Sequence, residues 1–331
     1  MAIVADNDEH VNKRNYFMRA PFPYFGGKSK ISATIWSALG SDIPNYVEPF
    51  AGSLANLLLR PGGAGKTETA NDYDGLLANA WRAMKFDFEA VAYHADGPVN
   101  ECDLHARHLW LVGQRDSLTD RLMADPDFYD AKAAGWWIWG ACAWIGSGWC
   151  SGKGPWIAVD GVLTDCRQIP HLSNAGQGIN RQIPHLGDAG RERGEYIYDV
   201  FAELSQRLRD VRVACGDFER VLSTSVTTRH GLTGIFLDPP YEAGNTDPYH
   251  TDSSGVSTRA RNWAICNGHD PMLRIVLAGY SGEHDGFGLE LLGWRCLNWK
   301  ANGGYGSSGT LGSANAHREV LWLSPNCLDV A

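Results

Sequence analysis

The sequence predicts an α/β chain: a doubly wound, mostly parallel sheet interrupted by an inserted, largely helical region. Three observations carry this. Both ends of the 331-residue chain alternate short apolar runs with segments of helical periodicity. Acidic residues stand where four of those runs stop, at Glu48, Asp72, Asp217 and Asp238. Between Phe86 and Tyr198 the alternation ceases and the chain turns polar, then rich in Trp and Gly.

The elements follow in chain order. Met1 to His10 is polar and acidic, so residues 1–20 are expected to form a loose extension and no signal peptide. Tyr46-Val47-Glu48 reads as a strand entering the turn Pro49-Phe50-Ala51-Gly52. A helix from Ser53 to Arg60 should follow, with Ser53 as its N-cap. Gly62 to Thr67 imitates a phosphate loop, but Arg60 stands where that loop needs a glycine, so it reads as a connector. Thr67 to Asn71 is a second strand ending at Asp72. Leu76, Leu77, Ala80, Trp81 and Met84 then mark a helix over Asp74 to Lys85.

After the insert, Val200, Leu204 and Leu208 mark another helix, and Val211 to Cys215 a strand ending at Gly216-Asp217-Phe218. Gly234 to Leu237 is an apolar strand that stops at Asp238-Pro239-Pro240-Tyr241. A helix near Arg259 to Cys266 and strands at Arg274–Ala278, Gly293–Trp299 and Glu319–Leu323 complete the set.

Composition narrows the class. Hydrophobic residues make up 44%, enough for a globular core. No apolar stretch approaches the roughly 20 residues of a membrane span, so no membrane partner is expected. The 8 cysteines form no C-x-x-C pair, which favours reduced thiols and a cytoplasmic protein. His105 and His108 share a helix face but lack further ligands nearby, so no metal is expected. A net charge of −9 argues against a basic surface all round, yet Lys153, Arg167, Arg181 and their neighbours leave a locally basic stretch inside the insert.

That stretch has two further features, each with two readings. Trp136, Trp137, Trp139, Trp144, Trp149 and Trp156 are either core or rings open to stacking on bases, with a loop or hairpin at the glycines from Gly146 to Gly154. Arg167-Gln168-Ile169-Pro170-His171-Leu172 recurs as Arg181-Gln182-Ile183-Pro184-His185-Leu186. The repeat is either a local duplication or a pair of Arg/Gln loops that touch nucleic acid.

The strand ends carry the chemistry. In a doubly wound sheet, ligands bind at the carboxyl ends of the strands near the topological switch point. An acid ending the second strand suits ribose hydroxyls, a glycine turn after the first admits close approach, and an Asp-Phe pair suits a purine. Together these outline a nucleoside-containing cofactor. The turn Asp238-Pro239-Pro240-Tyr241 is stiff and poor in N–H donors. It offers a carboxylate, a carbonyl and an aromatic ring, which can hold a planar amino group.

The joint order of Tyr24-Phe25-Gly26-Gly27-Lys28, Glu48-Pro49-Phe50-Ala51-Gly52, Asn71-Asp72, Gly216-Asp217-Phe218 and Asp238-Pro239-Pro240-Tyr241 resembles the Dam-type (α group, D12 class) DNA adenine-N6 methyltransferases. The resemblance implies a Rossmann-like methyltransferase sheet, with residues 21–85 and 199–331 as catalytic domain and 86–198 as inserted target-recognition region. It also implies S-adenosylmethionine as cofactor. Tyr24, Phe25, Gly26, Gly27 and Lys28 would line its pocket, and Glu48, Pro49, Phe50, Ala51 and Gly52 its methionine end. Asp72 would hold the ribose, and Asp217 with Phe218 the adenine. Asp238 and the Pro239 carbonyl would accept the target amino protons, Pro240 would stiffen the turn and Tyr241 would stack on a flipped base. Double-stranded DNA is the implied partner, bound through Lys153, Arg167 and Arg181; a monomer or weak dimer is expected, and a restriction endonuclease partner is compatible with the resemblance. Two alternatives stay open: the same fold acting on a cytosine N4, an RNA base or a glutamine amide, and a catalytically idle nucleic-acid-binding module.

Overall fold

The computed structural model describes residues 18–24, 26–63, 67–144, 149–150, 156–159, 162–165, 193–240, 255–284, 288–299 and 319–330. Its strands are β1 (Asn45–Glu48), β2 (Thr67–Asp72), β3 (Trp156–Val159), β4 (Val162–Asp165), β5 (Val211–Cys215), β6 (Thr233–Leu237), β7 (Leu273–Tyr280), β8 (Arg295–Asn298) and β9 (Glu319–Leu323). Its helices are α1 (Ser32–Leu39), α2 (Ala55–Leu58), α3 (Gly75–Phe86), α4 (Phe88–Ala95), α5 (Glu101–Ala124), α6 (Ala131–Ala143), α7 (Arg193–Leu208) and α8 (Val256–Asn267).

Seven strands form one sheet in the order β5-β2-β1-β6-β7-β9-β8. The first five run parallel, and β9 lies antiparallel to both of its neighbours. The chain winds outward from β1 through β2 to β5, then returns to the other side of β1 with β6. The order therefore reverses between β1 and β6, which makes their carboxyl ends the switch point where such sheets bind ligands. The start of β9 reaches the same edge, because Glu319 pairs with Tyr280 at the end of β7. β3 and β4 form a separate antiparallel hairpin.

β1 and β6 are buried along their whole length, as central parallel strands covered on both faces must be. Alternate residues feed two cores. Tyr46, Phe236, Val276 and Leu321 join one cluster with Trp81, Trp139 and Phe201. Val47, Ile235, Leu277 and Trp322 join the other with Ala260 and Trp294. The first cluster runs without a break through residues of α3, α4, α5, α6 and α7.

Local chemistry starts the helices where the sequence indicates. Asp74 caps α3 by accepting from Leu76 N at 2.9 Å. Asn100 caps α5 through Asp103 N at 2.8 Å, and Asp130 caps α6 through Ala133 N at 2.8 Å. The helix expected over Ser53 to Arg60 is shorter: only Ala55–Leu58 is α-helical, and Ser53 does not cap it. Leu54 takes that place in a left-handed conformation (φ 53°) with no side-chain cap. The preceding turn is held by other partners, described below, and the helix starts only after it.

The tryptophans of the insert divide cleanly. Trp137, Trp139 and Trp144 are buried, and half-buried Trp149 donates Nε1 to Trp137 O at 3.0 Å. Gly140 makes room for that ring, since a Cβ there would lie 1.8 Å from it. For these four the core reading holds. Trp136, Trp137 and Trp139 lie in α6, and the glycines from Gly146 to Gly154, where a loop or hairpin is expected, lie outside the described residues. Half-buried Trp136 carries the Arg107 and Lys132 side chains over its ring. His108 is buried, stacks on Trp144 and is pushed down to about 4 by burial, so its ring is neutral. The Arg-Gln repeat lies outside the described residues.

One buried charge cluster ties α2, β2 and α7 together. Glu68 accepts from Arg60 Nη1 at 2.9 Å and from Arg207 Nη1 and Nη2 at 2.6 and 3.0 Å. The guanidinium groups also bond Ile43 O and Leu57 O at 2.6 and 2.5 Å. All three side chains are buried, so removing the acid strands two cations. Glu68→Gln should lower unfolding free energy by about 3–5 kcal/mol. Urea denaturation checks this, and a loss under about 1 kcal/mol would show that the guanidiniums find other partners.

Candidate active site

The turn after β1 is built by its neighbours. Ala51 N donates to Asn71 O at 2.8 Å, Gly52 N to Asp72 Oδ2 at 2.9 Å, and Trp81 Nε1 to Gly52 O at 2.9 Å. Gly52 has φ 48°, and a Cβ there would come 2.7 Å from the Tyr24 ring. The glycine thus admits both the backbone conformation and the ring above it. Gly27 lies against the same turn, with Ser53 Oγ at 3.2 Å from where its Cβ would be.

Asn71 joins three strand ends. Its amide donates to Pro49 O at 3.0 Å and to Gly216 O at 2.9 Å. Its Oδ1 is buried and meets no hydrogen-bond partner among the described residues. Asp72 is half-buried, and its second oxygen accepts from Asp74 N at 2.9 Å. Burial lifts its carboxyl to about 6 against the pull of those two N–H groups. The residue therefore supports the turn from the end of β2 while remaining partly exposed.

At the end of β5, Phe218 is buried and stacks on Phe50, with ring centroids 5.1 Å apart. Arg259, in the first turns of α8, lies over the Phe218 ring at 5.0 Å. It grips Asp217 through both nitrogens at 2.9 and 3.0 Å and Glu219 at 2.7 Å. Burial opposes the Asp217 charge, but Arg259 and the Glu219 N–H outweigh it and hold the carboxyl below its usual range. The Asp-Phe pair is thus already engaged by a cation.

The end of β6 meets the segment before α1. Lys28 Nζ lies 3.1 Å from Asp238 Oδ2, 3.6 Å from Glu319 Oε2 and 3.0 Å from Gly26 O. Lys28 is buried, and Asp238 is half-buried above a buried Pro239 and a half-buried Pro240. Burial disfavours the ammonium charge, yet the two carboxylates outweigh it and raise the lysine above its ordinary value. Glu319 is raised, by burial first, with Asp238 adding to it and Lys28 opposing it. Glu48 ends β1 fully buried, accepting from Tyr46 Oη at 3.2 Å and Leu57 N at 3.3 Å. Burial pushes its carboxyl up to about 8, and nearby Asp238 adds to the shift.

The structure thus places Glu48 to Gly52, Asp72, Asp217, Phe218 and Asp238 to Pro240 at or just after strand ends, with Tyr24, Gly26, Gly27 and Lys28, from the segment before α1, against the turns after β1 and β6. Phe25, Tyr241, Lys153, Arg167 and Arg181 lie outside the described residues. Sequence reasoning missed three participants: Glu319, Arg259 and the structural part of Asn71. Glu319 carries a readable signal, an acid opening a predicted strand. Arg259 carries none, because its partners are 40 and 42 positions away. Among the described residues no group of three or more His, Cys, Asp or Glu is placed to hold a metal ion.

A sheet of this order with polar groups at the switch point defines a Rossmann-like α/β protein. One family model, D12 class N6 adenine-specific DNA methyltransferase, matches residues 24–100, consistent with a Dam-type methyltransferase. That stretch carries Lys28, the Pro49–Gly52 turn and Asp72, and ends before Asp217 and Asp238. No curated protein matches the chain. The family match supports DNA adenine methylation and implies a methyl donor and a DNA substrate. No helix among the described residues is long and apolar enough to cross a membrane.

Glu48 gives a test by pH. Its ordinary value is 4.5 and its folded value about 8, so between these the folded chain keeps a proton that the unfolded chain has lost. The resulting stability is complete below pH 4.5 and is lost as pH rises through about 8. Urea unfolding from about pH 5 to about pH 8.5 should show wild type losing a few kcal/mol more than Glu48→Gln. Parallel pH curves would mean that Glu48 is ionised in the fold.

Proposed function

We infer that the chain transfers a methyl group from S-adenosylmethionine to N6 of an adenine flipped out of duplex DNA. The observation that carries this reading is the ion pair of buried Lys28 with half-buried Asp238 at the switch point. The family match over residues 24–100 supports it.

The residues present fit such a cofactor. The cradle under Tyr24 is one that a Cβ at Gly52 would fill, and Asn71 Oδ1 is a buried acceptor with spare capacity. Asp72 offers oxygens that can accept more than one hydrogen each. In this reading Gly26, Gly27 and Lys28, with Tyr24 and Phe25, border the cofactor. Glu48 and the Pro49–Gly52 turn sit at its methionine end, Asp72 meets the ribose, and Phe218 with Asp217 the adenine. Binding at Asp217 would require Arg259 to share or release that carboxylate. S-adenosylmethionine supplies an electrophilic methyl group when bound.

An exocyclic amino nitrogen is a weak nucleophile because its lone pair is delocalised into the ring. Asp238 and the Pro239 carbonyl would accept its two protons and localise that lone pair. Tyr241 would stack on the base, and alignment of the reacting atoms would supply much of the rate. The amino group is inaccessible within a duplex, so the base must leave the stack. Residues 86–198 would contact DNA, with Lys153, Arg167 and Arg181 on phosphates or base edges.

Asp238→Asn replaces an acceptor oxygen with a donor amide while the prolines keep the backbone. Methyl transfer to adenine in duplex DNA should fall at least ~10²-fold in single turnover at saturating cofactor and DNA. DNA affinity should change little, since phosphate contacts dominate it. Near wild-type transfer by this variant would reduce Asp238 to a turn residue.

A further inference from the structure

Lys28 does not pair with Asp238 alone. A one-to-one pair would offset the aspartate's charge and commit an oxygen to the ammonium. Here a second carboxylate, Glu319, approaches the same nitrogen at 3.6 Å, an ion-pair distance beyond hydrogen bonding. Its side chain is 15% exposed and that of Lys28 is 4% exposed, so the contact is only weakly screened by solvent. Among the described residues one cation stands between two anions, so these three side chains together carry net negative charge. Glu319 reaches this place from β9, the antiparallel strand, through its register opposite Tyr280. The four residues after it, Val320 to Leu323, are buried and anchor the strand without its help.

Resting on the methyl-transfer reading above, we propose that Glu319 is a positioning residue for the reaction. It shares the charge of Lys28, so that Asp238 remains a strong acceptor for the target amino group. As the methyl group moves to the amino nitrogen, the donor's S–C bond would break with its electron pair kept by sulfur as a neutral thioether, a new N–C bond would form from the nitrogen lone pair, and positive charge would grow on the nitrogen until its proton passes to water. A net negative cluster next to that atom favours the charge that develops there. A neutral cluster would not.

The test separates charge from shape. Glu319→Gln keeps the shape and removes the charge; Glu319→Asp keeps the charge and shortens the chain. Single-turnover methylation should fall roughly 10-fold or more in the Gln variant, with cofactor and DNA affinities within about 2-fold of wild type, and the Asp variant should retain more activity than the Gln variant. In a Lys28→Gln background, Glu319→Gln should cause a smaller further loss of rate, because the share of its effect that passes through the Lys28 charge is gone. The same four proteins (wild type, both single variants and the double) should show non-additive losses in their urea midpoints, a readout independent of activity. Gln outperforming Asp, or additive effects in both rate and midpoint, would overturn the proposal. A wild-type chain that leaves adenine in DNA unmethylated would sink the underlying reading instead. The midpoints would then still decide whether Lys28 and Glu319 are coupled, and additive midpoints would overturn the proposal by themselves.

Discussion

A lysine ammonium sealed from water must find opposite charge nearby, and this requirement organises the site. Lys28 comes from the segment before α1, Asp238 from the end of β6 and Glu319 from the start of β9. They meet because the parallel strands end along one edge and the single reversed strand begins there. Burial of an unpaired charge costs several kcal/mol, so the three segments are held in mutual register by electrostatics as well as by packing. The result is a carboxylate fixed at the switch point, presented above two prolines that keep its backbone still.

A second set of contacts fixes the neighbouring turn. Asn71, Asp72 and Trp81 satisfy the backbone of Pro49 to Gly52 from outside the turn itself. The turn is therefore preorganised by β2 and α3, at the expense of the helix that the sequence suggests should start at Ser53. Leu54 in a left-handed conformation is where that competition shows. Further out, Glu68 between Arg60 and Arg207 fastens α7, which follows the insert, to β2. The strand-end edge and α7 thus rest on one frame.

Much of this was legible in the residues. The parallel strands read correctly because they are short, rich in β-branched residues and closed by acids or glycines. Val211–Cys215 and Glu319–Leu323 match their predicted bounds. The candidate acids at Glu48, Asp72 and Asp238 fell at strand ends, where the alternation of strand and helix puts them. Partners across the sheet were not legible. No spacing rule joins Lys28 to Glu319, or Asp217 to Arg259, because strand order is set by tertiary packing. The tryptophans were ambiguous for a related reason: no spacing in the sequence shows that Gly140 inside α6 makes room for the Trp149 ring.

The central claim is that this edge directs a methyl group onto the amino nitrogen of adenine in DNA. Purified protein incubated with labelled S-adenosylmethionine and mixed-sequence duplex DNA tests it most directly, with the modified base identified after digestion and mapped by sequencing. Label is expected in N6-methyladenine, confined to one sequence context. Label in cytosine or in protein alone, or no transfer by a folded and cofactor-binding chain, would contradict it.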